Sequence, residues 1–186
     1  MTDSFRSSRT VSSIDPGKPH IILVGLPGAG KSTVGALVAD KLQRTFLDFD
    51  LEIERREGMP IAQIFGERGE AGFRLLERAL TEELRSFGNM VLAPGGGWIN
   101  DAEVVALLRP PALMVYLRVR PETALQRLGG GAGRPLLSGP DPMAALQTLF
   151  DERKAAYMSA DLEIGTELHT PQQVAEQILA KVTVAK

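Results

Sequence analysis

Residues 25–33 read Gly-Leu-Pro-Gly-Ala-Gly-Lys-Ser-Thr and constrain the fold more than any other part of this 186-residue chain. They follow the apolar run Ile21–Val24, which is typical of a buried parallel strand. The glycines permit a tight loop whose backbone N–H groups face inward, and a helix starting directly after such a loop directs its positive end at bound phosphate. The spacing therefore predicts a P-loop between a strand and a helix.

The residue types at the end of this loop indicate nucleotide binding rather than a glycine-rich turn. Lys31 is placed to reach the β- and γ-phosphates, and the Ser32 hydroxyl group is placed to ligate Mg²⁺. A simple strand-to-helix turn does not explain a lysine followed by two hydroxyl residues. We expect the nucleotide-binding set to be Gly28, Ala29, Gly30, Lys31, Ser32 and Thr33.

Composition narrows the possible partners. The net charge of −2 provides no basic field for a nucleic acid, and no apolar run approaches the roughly 20 residues that span a bilayer. The chain lacks cysteine and has two histidines far apart, His20 and His169, so any metal is expected to be bound by oxygen. We expect a cytoplasmic monomer that acts on a small molecule.

The apolar runs predict five strands, at residues 21–24, 45–50, 90–93, 112–117 and 161–164, with helices between them. This alternation predicts a three-layer α/β/α fold with a five-stranded parallel sheet, of the P-loop kinase type. We expect one domain over residues 20–184, with a helical substrate-binding region at about 50–80. Gly66 and Gly69 are expected to break the helical stretch at 61–87. Residues 1–19 read as a disordered tail, with organelle targeting as the alternative.

A glycine-rich segment at about 129–138 ends in Arg134 followed by Pro135. We interpret it as a mobile lid that brings an arginine over the phosphate site. The alternative is an exposed flexible connection with an incidental arginine.

Two aspartates lie at the end of the second predicted strand. Asp48 is the best candidate to share Mg²⁺ with Ser32, because no carboxylate ends the third or fourth strand. Asp50 is close enough to orient or deprotonate an attacking hydroxyl group. The structural alternative is a solvated strand end and a helix N-cap. No Asp-x-x-Gly or Asn-Lys-x-Asp string of a switch-type GTPase is present.

Arg74 and Arg153 indicate an anionic acceptor. Arginine recognises a carboxylate through a planar, bidentate contact, although either residue taken singly also fits a surface ion pair. The sequence to this point predicts a small-molecule kinase.

Five ordered motifs resemble those of the shikimate kinase family, a branch of the nucleoside-monophosphate-kinase-like P-loop proteins. They are Phe49-Asp50 with Ile53-Glu54, Ile64-Phe65 through Phe73-Arg74 with Glu77, the triple glycine at 95–97, Arg134-Pro135-Leu136-Leu137, and Arg153 with Tyr157. The resemblance runs from about residue 21 to the C-terminal helix.

The resemblance implies phosphorylation of the 3-hydroxyl group of shikimate by ATP with Mg²⁺, a step toward chorismate and the aromatic amino acids. It implies that Asp50 contacts the ring hydroxyls and acts as the base, and that Arg74 and Arg153 hold the carboxylate. Backbone N–H groups of the triple glycine, Gly95, Gly96 and Gly97, would contact the substrate.

On the nucleotide side, the resemblance implies that Arg134 closes onto the phosphates and that Arg127 lies along the adenine. The loop near His169 and Thr170 would meet the adenine edge. Pro94 and Trp98 depart from the residues common in the family, and Trp98 either packs under the substrate-binding region or narrows the acceptor pocket. Two alternatives remain: a related gluconate-type kinase, and a non-catalytic domain of this fold that binds an effector.

Overall fold

The computed structural model describes residues 19–131, 135–137 and 139–184. The predicted tail, apart from residue 19, lies outside the described residues, and so does the predicted lid arginine, Arg134. No helix in the described part of the chain is long and apolar enough to cross a membrane.

Five parallel strands form the sheet of the described residues, in the order β2-β3-β1-β4-β5. β1 and β3 are buried along their whole length, as expected for parallel strands covered on both faces. The predicted α/β fold with a five-stranded parallel sheet is confirmed. The strands are β1 (Ile21–Val24), β2 (Thr45–Asp48), β3 (Met90–Ala93), β4 (Leu113–Arg118) and β5 (Leu162–Gly165).

Helices connect the strands and cover both faces of the sheet. α1 packs against α7, α2 against α3, and α5 against α6. Short 3-10 turns lie at Trp98–Asn100, Gly129–Gly131 and Pro135–Leu137. The helices are α1 (Lys31–Leu42), α2 (Phe49–Glu57), α3 (Ile61–Leu84), α4 (Ala102–Ala106), α5 (Pro121–Arg127), α6 (Pro142–Tyr157) and α7 (Pro171–Val184).

Two features near the site differ from the expectation: the end of β2 and the position of the break in α3. β2 ends at Asp48, and Asp50 lies in the first turn of α2 instead of on the strand. In α3 the backbone is non-helical at Gly69, where φ is 67° and ψ is −179°, whereas Gly66 stays within the helix. The predicted break therefore occurs at one of the two glycines.

The strand order places the P-loop at the centre of the sheet's carboxyl edge. From β1 the chain crosses to β2 and β3 on one side, and it later returns to β4 and β5 on the other side. Ligands of open parallel sheets bind in the crevice outside the carboxyl ends, where the strand order reverses. β1 occupies that point in this fold.

Candidate active site

The P-loop is shaped by close backbone contacts. Gly28 has a φ of 82°, and a Cβ atom there would lie 2.6 Å from the carbonyl oxygen of Ala124. The N-cap of α1 is Gly30, which has no side chain that could bond to the first N–H groups of this helix. Such a helix end is suited to a phosphate group.

The amino group of Lys31 lies against the loop that precedes it. Its Nζ donates to the carbonyl oxygen of Gly25 at 3.0 Å and to that of Leu26 at 3.2 Å. These contacts hold the lysine head group over the P-loop, at the edge of the cavity.

A cavity of about 420 Å³ opens at this edge of the sheet. It brings the predicted phosphate-binding residues together with both aspartates, part of the triple glycine and Arg127. All described members of the predicted nucleotide-binding set therefore line one cavity. His169 lines it too, whereas Thr170 does not. The lining residues are 27–34, Asp48, Asp50, 93–96, Arg127, Leu128, Thr166, His169, Pro171 and Val174.

Asp48 joins the P-loop helix to the helix that carries Asp50. The Ser32 hydroxyl group donates to Asp48 Oδ2 at 2.5 Å. The other carboxylate oxygen, Oδ1, accepts from the N–H groups of Asp50 at 3.0 Å and Leu51 at 3.3 Å. Asp48 is therefore the N-cap of α2 and also a neighbour of the predicted metal ligand, so the two interpretations of this residue do not exclude each other.

The triple glycine lies between two arginines that come from different helices. The Arg74 guanidinium, from α3, occupies the space that a Cβ atom at Gly97 would need, and Arg153 Nη1, from α6, lies 2.9 Å from the Cβ position of Gly96. The predicted pair thus converges on one backbone segment. Arg153 is only 2% exposed, so it is not a surface ion-pair residue.

Glu77 is a buried carboxylate in the same cluster. It bonds to Arg74 Nη1 through Oε2, and Arg74 Nη2 contacts Glu70 Oε1 at 2.7 Å. The other oxygen of Glu77, Oε1, is buried against the backbone of Gly95, close to Asp50 Oδ1. Burial raises the pKa of the Glu77 carboxyl, Arg74 acts in the opposite sense, and the charge of Asp50 adds to the rise.

Arg127 links the P-loop to the chain that follows β5. Its guanidinium donates to Thr166 Oγ1 at 2.9 Å and to the Thr166 carbonyl oxygen at 2.8 Å. The Gly28 carbonyl oxygen lies 3.5 Å from Nη1. These bonds hold the head group at the wall of the cavity.

Trp98 bonds to α3, as the first of the two interpretations given above requires, and it also lines a cavity of about 730 Å³ beside Arg74 and Gly97. Its ring is buried, and Nε1 donates to Thr81 Oγ1 at 3.0 Å. The Thr81 hydroxyl group in turn donates to the carbonyl oxygen of Glu77 at 2.7 Å. This chain of bonds ties the segment after the triple glycine to the helix that carries Arg74.

Several residues at the site have no role predicted from the sequence, chiefly Glu77, Tyr157 and Thr166. The spacing contains a usable signal, because Glu77 lies three residues after Arg74 and Tyr157 four residues after Arg153. Residues at these intervals share one face of a helix. Thr166 carries no such signal, since its contact with Arg127 depends on how the loop after β5 packs.

A P-loop, an acidic pair beside it and two arginines that converge on a glycine segment define a P-loop kinase of small anionic molecules. The described residues contain no group of three or more histidine, cysteine or acidic side chains that could hold a metal ion on their own. Any metal at this site therefore needs phosphate and water ligands to complete its coordination.

Comparison with known proteins defines the family. A model of the shikimate kinase family matches residues 27–183. The shikimate kinase of Chromohalobacter salexigens is 43% identical over 166 residues, covering 89% of this chain and 92% of that protein. A shikimate kinase from Acinetobacter baumannii, solved in complex with shikimate, is 40% identical with a TM-score of 0.87, and the match covers 92% of this chain and 96% of that one.

This chain belongs to the shikimate kinase family. ATP-dependent phosphorylation of shikimate to shikimate 3-phosphate, on the route to the aromatic amino acids, is accordingly its activity. A gluconokinase from Sinorhizobium meliloti has the same fold, with a TM-score of 0.60 at 17% identity. At that identity the likeness concerns the fold alone, and the gluconate-type alternative is not favoured.

Proposed function

We propose that this site transfers the γ-phosphoryl group of ATP to the 3-hydroxyl group of shikimate with Asp50 as the general base. The observation that carries the proposal is that Asp50 lines the same cavity as Lys31 and Ser32 while its Oδ1 lies beside Gly95. One carboxylate is thereby close both to the residues assigned to the donor phosphates and to the backbone assigned to the acceptor. A base must be within reach of the proton that it removes.

On the donor side, the P-loop N–H groups and Lys31 bind the phosphates, with Arg127 along the adenine. Phosphoryl transfer depends mainly on positioning and on neutralising the charge of the transferred group. Lys31 is supported by the loop carbonyls that it contacts, and it supplies one fixed positive charge at the site. We assign a second charge to Arg134, which lies outside the described residues.

Mg²⁺ is the metal that fits the available oxygen atoms. The Ser32 hydroxyl group and the Asp48 carboxylate face each other at 2.5 Å, and Mg²⁺ is commonly held by one or two protein oxygens together with water and substrate phosphates. When bound, the ion neutralises phosphate charge. Asp48 keeps its second oxygen on the N-terminus of α2, so it can serve the metal without releasing Asp50.

On the acceptor side, Arg74 and Arg153 bind the shikimate carboxylate, and N–H groups of Gly95, Gly96 and Gly97 bind its polar edge. Support comes from the convergence of both guanidinium groups on this segment, where a side chain at Gly96 or Gly97 would collide with them. Glu77 holds Arg74 in place through its buried carboxylate. A carboxylate between two arginines gains bidentate, charge-assisted hydrogen bonds.

The proposal is tested by Asp50→Asn. The amide keeps the shape of the side chain but is a poor proton acceptor, so we expect kcat to fall by a factor of about 10² to 10⁴. The affinity for ATP, measured by calorimetry, should stay within about twofold, because Asp50 contacts the acceptor and not the phosphates.

The matched control is Asp40→Asn, which makes the same change at an exposed position of α1. It should leave both kcat and ATP affinity unchanged. An Asp50→Asn variant with the kcat of the parent protein would contradict the role of general base. A variant that loses ATP affinity and kcat together would place Asp50 on the donor side instead.

A further inference from the structure

Tyr157 lies on the same face of α6 as Arg153, one turn later, and both side chains are buried. Its hydroxyl group donates to the carbonyl oxygen of Gly96 at 3.3 Å. Its ring stacks on that of Tyr116 with centroids 4.9 Å apart and planes 9° from parallel. The phenol therefore has a fixed ring and a polar contact with the glycine segment of the active site.

The contact with Gly96 acts on the central peptide of a turn, which the Trp98 N–H closes on the carbonyl oxygen of Gly95 at 3.1 Å. The Gly96 carbonyl and the Gly97 N–H belong to one trans peptide, so the two groups point in opposite directions. With glycine at both central positions, the turn can accept either orientation of this peptide. By holding the Gly96 carbonyl, Tyr157 sets the direction of the Gly97 N–H, one of the donors that we assign to shikimate.

The same hydroxyl group lies beside the Arg153 guanidinium, whose charge acts on it. Arg153 Nη1 packs against Gly96, while its Nε has no hydrogen-bond partner among the described residues. The guanidinium is thus buried with one N–H group unpaired. Its orientation therefore depends on the groups packed against it, Gly96 and the Tyr157 hydroxyl group.

Tyr157 remains a hydrogen-bond donor at every pH at which a protein of this kind works. Burial raises its pKa to about 12, and the charge of Arg153 acts in the opposite sense. At 3.3 Å the bond to Gly96 is also longer than a usual O–H···O bond. Its contribution to stability is therefore expected to be small, and its effect is mainly on direction.

We propose that Tyr157 is a positioning residue for the carboxylate of the acceptor: its hydroxyl group sets the orientation of the Gly96–Gly97 peptide relative to the Arg153 guanidinium. This inference rests on the proposed function of Arg153 and the triple glycine. It assigns Tyr157 no contact with shikimate and no part in the chemical step. Losing the hydroxyl group should accordingly weaken acceptor binding and leave the other steps intact.

The direct test is Tyr157→Phe, which removes the hydroxyl group and keeps the ring stacked on Tyr116. We expect KM for shikimate to rise about tenfold, the equivalent of about 1.4 kcal/mol. The values of kcat and KM for ATP should stay within about twofold, and the midpoint of thermal unfolding should be unchanged. The matched control Tyr116→Phe removes the hydroxyl group from the other ring of the stack and should change none of these quantities.

A second comparison separates this inference from the proposed function. Arg153→Lys replaces a planar fork by a point charge and should raise KM for shikimate about 5- to 150-fold. If Arg153→Lys leaves KM unchanged, the assignment of the carboxylate site is wrong. If Arg153→Lys raises KM and Tyr157→Phe does not, the assignment stands and the positioning role of Tyr157 is wrong.

The double variant tests whether Tyr157 acts through the arginine. If it does, the rise in KM for Tyr157→Phe with Arg153→Lys will be smaller than the product of the two separate rises. An analogue of shikimate with a primary alcohol in place of the carboxylate should also bind equally well to the parent protein and to Tyr157→Phe. A fully multiplicative double variant, or a tenfold loss with the alcohol as well, would overturn the proposal.

Discussion

At the scale of single residues, His20 shows how a buried polar side chain depends on its protonation state. Its Nδ1 accepts from the N–H of Met90 at 3.4 Å, and its Nε2 lies 3.3 Å from the carbonyl oxygen of Leu84. The ring thereby ties the start of β1 to the end of α3 and the start of β3. An acceptor at Nδ1 and a donor at Nε2 require the neutral imidazole.

Stability is therefore predicted to fall in mild acid. Burial is the main cause that lowers the pKa of His20 below its ordinary value of 6.5, and Arg44 adds to the effect. The unfolded chain takes up this proton first as the pH falls, so the stabilisation is complete above about pH 6.5 and is lost as the pH falls toward the folded pKa. The slope for one proton approaches about 1.4 kcal/mol per pH unit.

Urea unfolding between pH 8 and pH 5 checks this prediction. His20→Gln should reduce the loss of unfolding free energy below pH 6.5. His169→Gln, at an exposed position, should retain the loss seen in the parent protein. Equal slopes for the parent protein and His20→Gln would contradict a neutral, buried His20.

Single residues also show what the sequence could predict about the site. Lys31 and Ser32 were predictable because their positions are defined by a local motif. The dual contact of Asp48 was not predictable. Spacing along the chain is compatible with an N-cap and with a metal ligand, but it does not show that each role uses a different carboxylate oxygen. The buried position of Arg153 likewise depends on how α6 packs against the glycine segment.

At the scale of elements, the break in α3 relates the backbone conformation of one glycine to the position of a site arginine. Gly69 has a φ of 67° and a ψ of −179°, and a Cβ atom there would have open space around it. The requirement for glycine at this position is therefore a matter of backbone conformation and not of room. The break changes the course of the helix shortly before Arg74.

Gly69→Ala is accordingly predicted to lower the free energy of unfolding by about 1–3 kcal/mol. Gly66→Ala is the matched control, since Gly66 has equal space around it but lies within the helix. There alanine should raise the free energy by about 0.5–1 kcal/mol. Urea denaturation of both variants measures the difference, and equal effects of the two substitutions would contradict a break confined to Gly69.

The sequence predicted that glycine would interrupt this helix but not which glycine. Helix propensity treats Gly66 and Gly69 alike, because each lowers helical stability by a similar amount. Tertiary packing selects the second, where the chain turns to place Phe73 in the core and Arg74 at the glycine segment. The start of α2 at Phe49 has a local cause instead, because the Asp48 side chain caps the helix where the strand ends.

At the scale of the whole molecule, the strand sequence was predictable and the strand order was not. Hydrophobic runs locate each strand, but pairing β1 between β3 and β4 is decided by contacts far apart in the chain. The arrangement of the site could not be predicted for the same reason, because its residues come from the P-loop, α2, α3, the segment after β3, and α6. Only the motifs characteristic of the family linked these distant segments before the fold was known.

The choice of acceptor depends on the whole site, because both arginines and the glycine segment must bind one molecule at the same time. ADP release by the purified protein with Mg²⁺ and ATP is measured in parallel with shikimate, quinate, gluconate and nucleoside monophosphates. The two arginines and the glycine segment predict turnover with shikimate at a kcat/KM at least about 100-fold above that with any other acceptor. Turnover with gluconate or a nucleoside monophosphate, and none with shikimate, would contradict the account.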